Sequence, residues 1–516
     1  MPSDSKRIVK NTVFLYIQMF VTMIISLYTS RVILEILGVN DYGIYHTVGG
    51  IVSMFALLNG VLANGSSRFL TFELGTGNSE KLKKTFSTVL SAHIIIALFL
   101  IFVGETVGLW FVNNKLQIPP DRMSAALFTY HLSLITFLFT LTQVPYSASI
   151  ISHERMNIYA YTSIINASLK LLIVYMLTLG NFDRLKFYAL LIFIVEVGMV
   201  LFYRIYCIRH FQETHYHFVM DKKILKDVVG FSAWGLFANT AIALAQHGTT
   251  VMINMFFSPA VVTSRALANT INMTAVQFIG NIRTAANPQI IKMYAAKDYS
   301  GSKHLLLESM KFLYFLMLLL ALPIILVAEP LLQLWLGQVP PYSVIFLQLT
   351  IITSLFQVFD TSLYTGLVAA GRLRENALIS PTVIFLAFPI IYILFRLGYG
   401  PASLAWVLLV SYMVLGLIIK PLIVIRIINY SWKDIITTYY SCAKVTLLAI
   451  PVPCITYIYR HTLFKGTLTS FFGLSIVSIL CVFIAVWTIG LDRFTRKKLI
   501  SFVKSKTNLI TSTSNS

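Results

Sequence analysis

Runs of about twenty apolar residues recur from near Asn11 to Gly490, and that recurrence leaves this chain few folds to choose from. A bilayer core offers backbone N–H and C=O groups no water, so a spanning segment has to satisfy them internally. An α-helix does this within one segment. Phe, Tyr and Trp gather toward the ends of the runs, at the level where rings meet lipid headgroups. Windows of about nineteen residues predict spans at 11–37, 43–63, 84–110, 125–150, 157–179, 187–209, 230–257, 262–288, 305–329, 343–368, 376–396, 401–425, 440–460 and 468–490. The expected class is an all-α integral membrane protein of about 14 transmembrane helices.

Charge gives a test independent of hydropathy. Only 12% of residues are charged against 57% hydrophobic, which excludes a large soluble enzyme. The net charge of +20 would suit nucleic acid, but the basic residues sit in short gaps between apolar runs instead of forming one stripe. Alternate gaps hold 29 Lys and Arg on the side of the N-terminus and 7 on the other, with four more inside spans. Cytoplasmic loops are the basic ones, so both termini are expected in the cytoplasm and the span number is even. Lys6, Arg7 and Lys10 precede a run that reaches Leu37, too long for a secretory signal core, so that run is expected to be the first span. Cys207, Cys442, Cys454 and Cys481 lie in or beside apolar segments without metal-ligand spacing and are expected to be buried thiols, with no metal site.

The halves of the chain echo one another. The loop 74–84 matches 294–304 in polarity and flanking spans. The stretch 146–157, beginning Tyr146-Ser-Ala-Ser, aligns with 364–375, beginning Tyr364-Thr-Gly-Leu, each ending a span and turning through a short basic loop. Six spans separate equivalent positions; six is even, so the repeats share one orientation about an axis along the membrane normal. This predicts an N-terminal lobe (1–210), a cytoplasmic linker (211–229), a C-terminal lobe (230–430), two further helices (431–492) and a cytoplasmic tail (493–516). The linker sets Lys222, Lys223 and Lys226 around Ile224, Leu225, Val228 and Val229; an amphipathic surface helix fits this pattern, and the favoured reading is a basic linker that ties the two bundles without a regulatory role.

The first span ends Thr29-Ser-Arg-Val-Ile-Leu-Glu-Ile-Leu-Gly38 and is followed by Asp41-Tyr-Gly-Ile-Tyr45. In these residues the chain resembles polysaccharide transporters of the multidrug, oligosaccharidyl-lipid and polysaccharide exporter (MOP) superfamily, closest to Wzx-type O-antigen flippases. The resemblance implies two six-helix bundles around a central cavity plus two C-terminal helices, working by alternating access. It further implies export of undecaprenyl-diphosphate-linked oligosaccharide from the cytoplasmic to the outer leaflet of a bacterial inner membrane, for lipopolysaccharide or other surface polysaccharide. Polysaccharide assembly proteins are potential partners, no cofactor is implied, and coupling would be to H+ or Na+. Drug exporters and exporters of lipid-linked peptidoglycan precursors share the architecture, so fold alone does not choose the cargo.

A diphosphate-linked sugar cannot enter hydrocarbon unpaired and calls for a polar, preferably cationic cavity. The four intramembrane cations Arg31, Lys170, Arg265 and Arg283 are the candidate substrate-binding residues, since guanidinium suits phosphate oxygens and lysine serves as a point charge. Arg31 has an alternative in an ion pair with Glu35 one turn later, and Arg265 in snorkelling outward from the start of its span. Lys170 and Arg283 lie deeper. Among acidic residues in spans, Glu196 and Asp360 are the candidates for ion coupling, with a counter-ion role as the competing reading; Glu105 and Glu329 are further examples.

Amides crowd the seventh and eighth spans, among them Asn239, Gln246, Asn254, Asn269, Asn272, Gln277, Asn281 and Asn287. They suit sugar hydroxyls and interhelical bonds equally. His93, His131 and His247 are isolated from other ligand types and are expected to serve packing. A glycosyltransferase or polymerase would need paired carboxylates on a sizeable outer loop. The longest outer gap, 111–124, offers Asp121 without a second acid, so a non-enzymatic transporter is expected.

Overall fold

The apolar runs become helices where hydropathy marks them. The computed structural model describes residues 2–55, 57–153, 155–179, 182–222, 247–372, 374–428, 430–464, 466–492 and 496. Among these there is no strand, and ten helices are long and apolar enough to cross a membrane. The chain is an all-α, multi-pass membrane protein. We label the helices α1 (Pro2–Phe55), α2 (Leu57–Thr76), α3 (Ser79–Lys115), α4 (Met123–Ser152), α5 (Met156–Met176), α6 (Arg184–His210), α7 (Thr249–Phe256) and α8 (Pro259–Ala295). They continue as α9 (Tyr299–Leu326), α10 (Ala328–Leu336), α11 (Ser343–Ala369), α12 (Arg374–Arg396), α13 (Ala402–Ile428), α14 (Trp432–Ile458) and α15 (Thr467–Gly490).

Four expected spans are not among the ten, each for a visible reason. The second is divided between α1 and α2, because the helix runs on to Phe55 and resumes at Leu57. The fifth is α5, whose apolar part, Tyr161–Met176, is short. The seventh lies largely outside the described residues and continues as α7. The eighth forms the 37-residue α8, where Asn, Thr, Gln and Arg dilute the apolar residues.

The chain divides into two compact units. Unit 1 comprises Met1–Ile271, Pro340–Ser343 and Ala377–Val407; unit 2 comprises Asn272–Val339, Val344–Asn376 and Leu408–Ser516. In unit 1, one core gathers Ile44, Val48, Tyr130, Leu134 and Leu141, and a second gathers Phe86, Tyr146, Ile150 and Cys207. In unit 2, Met310, Leu318, Leu363, Val445, Leu474 and Val482 are buried.

The linker departs from the surface-helix pattern over its described part. Phe211 is followed by a single 3₁₀ turn, Gln212–Thr214, and then by non-helical chain to Asp221. The reason is competition for the backbone: His217 N–H donates to Ser87 Oγ at 3.3 Å and Asp221 N–H to Thr88 Oγ1 at 3.3 Å, while Lys84 pairs with the Asp221 carboxylate at 2.7 Å. Hydroxyls of α3 thus take donors that a helix would have used internally. The remainder of the surface-helix pattern, 223–229, and nearly all of the expected tail, 493–516, lie outside the described residues.

The motif that carried the family resemblance bends α1. Gly38 has φ 77° and ψ 170°, a region essentially closed to residues with a Cβ. Gly43, just beyond, passes so close to Pro259 that a Cβ would overlap its backbone carbonyl. Gly38→Ala is expected to lower stability by about 1–3 kcal/mol, the usual cost of such a strained backbone. Gly43→Ala should also lower it, by forcing α1 away from the start of α8. Both are checked by the thermal unfolding midpoint of detergent-solubilised protein, and an unchanged midpoint for Gly38→Ala would contradict the strain argument.

Candidate functional site

The bend in α1 opens a cavity of about 420 Å³ within unit 1. Helical spacing explains its walls. Thr22, Ser26, Thr29 and Ser30 share one face of α1 before Gly38, and Ser163, Asn166 and Lys170 share one face of α5. Beyond the bend, α1 contributes Tyr42, Tyr45 and His46, and α6 contributes Tyr188. The rings interlock: Tyr45 and Tyr188 meet edge-on at 4.9 Å, Tyr42 and His46 at 4.5 Å. Two polar atoms in this wall, Thr29 Oγ1 and Asn166 Oδ1, are buried and form no hydrogen bond. Since a buried polar atom left unpaired is costly, they stand ready for a guest that brings hydroxyls or amides.

Lys170 is the charge in the wall. Its ammonium lies 2.6 Å from Glu196 Oε1, with side chains 40% and 18% exposed. The structure therefore joins one candidate cation to one candidate coupling acid inside unit 1. The other two candidates of this unit stand apart from the cavity. Arg31 is exposed, as is Glu35, and no ion pair joins them among the described residues. Arg265 does not snorkel outward: it is 4% exposed and donates from Nη2 to Thr249 Oγ1 at 3.2 Å, because α8 starts inside the packing of unit 1.

Unit 2 holds a separate charged cluster. Asp360 on α11 lies 2.8 Å from Lys420 on α13, and Lys420 also donates to Asn376 Oδ1 and sits 5.6 Å from the centre of the Tyr364 ring. Arg283, half-buried on α8, is close enough to Asp360 to interact with it electrostatically. Sequence reasoning counted Lys420 among the loop lysines, yet it is 1% exposed. A cation two turns from the end of an apolar run looks like a loop residue to a hydropathy window; only its acid on another helix shows that it is internal.

The amides divide by environment. Asn254 accepts from Gln117 N–H at 3.1 Å and ties α7 to the loop after α3, while Asn272 accepts from Ser354 at 2.7 Å and Asn287 from Thr365 at 3.1 Å, tying α8 to α11. Asn239 and Gln246 lie outside the described residues. Of the histidines expected to be isolated, His131 pairs with Glu105 at 2.9 Å, whereas His93 is bonded to the Val89 carbonyl of its own helix at 2.7 Å.

At one end of unit 1, a second feature was missed. Arg122 makes two hydrogen bonds to Asp41, at 2.9 and 2.6 Å, and two to Asp183, at 2.8 and 3.1 Å. It thus fastens the bent part of α1 to the start of α6, where Asp183 is the N-cap. Burial would raise the Asp183 carboxyl, but Arg122 and the N–H groups of Lys186 and Leu185 outweigh it and hold the group below the usual carboxylate range. A depressed carboxyl stabilises the fold above its ordinary pKa near 3.8 and loses that contribution as pH falls through the lower folded value. Asp183→Asn should therefore flatten the acid limb of the stability profile, measured as thermal midpoint between pH 6 and pH 3 (about that range).

Breaking the unit 2 pair should be costlier than deleting it. Asp360→Asn, which leaves the Lys420 ammonium buried without its counter-ion, is expected to destabilise by about 3–5 kcal/mol. The double change Asp360→Leu with Lys420→Met should recover most of this. A double-mutant cycle on thermal midpoints checks it, and additive single effects would contradict the pairing.

No family model matches the sequence, and no curated protein matches it. Solved structures do. The chain is similar to the lipid II flippase MurJ in an inward closed conformation, with TM-score 0.73 and 14% identity over 95% of this chain and 99% of that one. It is also similar to an inward-facing multidrug resistance MATE family transporter of the MOP superfamily, with TM-score 0.65 and 13% identity over 79% and 96%. A MOP superfamily transporter from Pyrococcus furiosus matches with TM-score 0.57 and 15% identity over 82% and 95%. The chain has the fold of these membrane transporters.

Proposed function

We propose that this protein is a flippase that moves undecaprenyl-diphosphate-linked oligosaccharide from the cytoplasmic to the outer leaflet of a bacterial inner membrane, by alternating access of two lobes. The observation that carries the reading is the unit 1 cavity, where hydroxyls, an amide and Lys170 face the same space as two buried polar atoms without partners. Sugar hydroxyls complement the Ser, Thr and Asn side chains, tyrosine rings offer apolar faces to pyranose C–H groups, and the Lys170 ammonium suits a phosphate. A phosphate that reaches Lys170 competes with Glu196, and the displaced carboxylate is a natural place for a coupling proton or Na+, with Asp360 as the second candidate. The fold likeness to a protein described as a lipid II flippase fits a lipid-linked cargo. The excess of Lys and Arg in alternate gaps supports termini that face the cytoplasm.

One observation favours a second reading. Glu196 neutralises Lys170 at 2.6 Å, and the aromatic wall of Tyr42, Tyr45 and Tyr188 would also suit an organic cation, as for a small-molecule exporter.

Lys170→Ala, expressed in place of the native chain, separates the two. The flippase reading expects surface polysaccharide to fall severalfold while undecaprenyl-linked oligosaccharide accumulates on the cytoplasmic leaflet and the protein remains in the membrane. Full polysaccharide together with raised sensitivity to cationic drugs would replace it with the exporter reading.

A further inference from the structure

Unit 1 contains a cation that the cavity does not use. Arg204, half-buried in the last two turns of α6, donates from Nη2 to Thr142 Oγ1 at 2.6 Å and sits 5.8 Å from the centre of the Tyr146 ring. Its Nε is buried and makes no hydrogen bond, and no carboxylate lies within ion-pair distance of it among the described residues. A guanidinium at such depth normally has an anionic partner, since desolvating a charge without one is expensive. Thr142 supplies none: its hydroxyl donates to the Phe139 carbonyl at 2.8 Å and can only accept from Arg204.

The internal repeat shows what is missing. Tyr146 aligns with Tyr364, and four residues earlier in each copy stand Thr142 and Asp360. On the sixth span of each copy, a cation lies against that tyrosine: Arg204 at 5.8 Å from Tyr146, Lys420 at 5.6 Å from Tyr364. The second copy fills the position opposite its cation with a carboxylate 2.8 Å away; the first fills it with a hydroxyl. Beside Lys420 stands a carboxylate; beside Arg204, among the described residues, there is none.

We propose that Arg204, Thr142 and Tyr146 form an anion-binding station in unit 1, distinct from the Lys170 cavity, that takes the phosphate group of the lipid-linked cargo. This rests on the flippase reading and deepens it. The free edge of the guanidinium offers several N–H groups in a planar fork, which fits two oxygens of a phosphate. Thr142 and Tyr146 lie in the last three turns of α4, at the end that leads to the basic loop at Arg155, which the charge distribution assigns to the cytoplasm. The station therefore stands on the side where a cytoplasmic-leaflet headgroup enters, and Lys170, late in α5, stands nearer the opposite side.

The test installs in unit 1 the carboxylate that unit 2 already has. Thr142→Asp should pair with Arg204 and exclude an outside anion, and Thr142→Asn controls for size without charge. Undecaprenyl diphosphate and inorganic pyrophosphate are titrated into the full-length, detergent-solubilised protein, with phosphatidylglycerol as competitor and thermal midpoint as a check of folding. The expected result is at least tenfold weaker binding of both diphosphates by Thr142→Asp and by Arg204→Gln, near-native binding by Thr142→Asn, and no displacement by phosphatidylglycerol. Native-strength binding by a folded Thr142→Asp protein, with binding lost in Lys170→Gln, would overturn the station and leave the flippase reading standing. Displacement by phosphatidylglycerol would make the site a bilayer-lipid contact and overturn it as a cargo site. Absence of diphosphate binding to the native protein would overturn both.

Discussion

Hydrocarbon tolerates no unpaired polar group, and every informative feature of this chain is a response to that constraint. The helices satisfy the backbone. Two of the lysines at depth are held by acids, Lys170 by Glu196 and Lys420 by Asp360. Even hydroxyls fold back on their own helices, as Ser66 does to the Leu62 carbonyl and Thr129 to the Ala125 carbonyl. Against that background, an unpaired Thr29 Oγ1, Asn166 Oδ1 or Arg204 Nε is informative, because leaving a buried polar atom without a partner costs free energy.

The short motif in the first helix shows how a few residues assemble a site. Gly38 redirects α1, Gly43 allows it to approach the start of α8, Asp41 fastens it to Arg122, and Tyr42 and Tyr45 form a wall of the cavity. The motif is thus a bend with its fastening and lining, and the polar residues before it face into the space the bend creates. A straight continuation of α1 would have carried Tyr42 and Tyr45 away from Ser26 and Thr29.

The two halves have diverged in how they handle charge. Each keeps a cation over a tyrosine near the end of corresponding helices, but among the described residues a carboxylate stands beside Lys420 and not beside Arg204. Such a pair is stable when both members are present and costly when one is removed, so a copy that lacks the acid has a reason to be compensated from outside. Duplication provides the comparison: the second copy acts as an internal reference for the first.

The fold class, most helix boundaries and the positions of Lys170, Glu196 and Asp360 within helices could be read from the sequence, because apolar length and charge-free runs are local properties. Local pattern also marked Arg31, Arg265 and Arg283 as intramembrane charges, but could not say that Arg31 is exposed while Arg265 is enclosed. It counted Lys420 and Arg204 with the basic residues of the cytoplasmic side although the predicted spans 401–425 and 187–209 contain them, and it left a surface helix open over 211–221, where α3 hydroxyls take backbone donors. Pairing is a property of residues distant in the chain, fixed by which helices pack together. The sequence determined that charges would lie at membrane depth; tertiary packing decided which are neutralised and which face a cavity, because the free energy of a buried charge depends on what stands a few ångströms away.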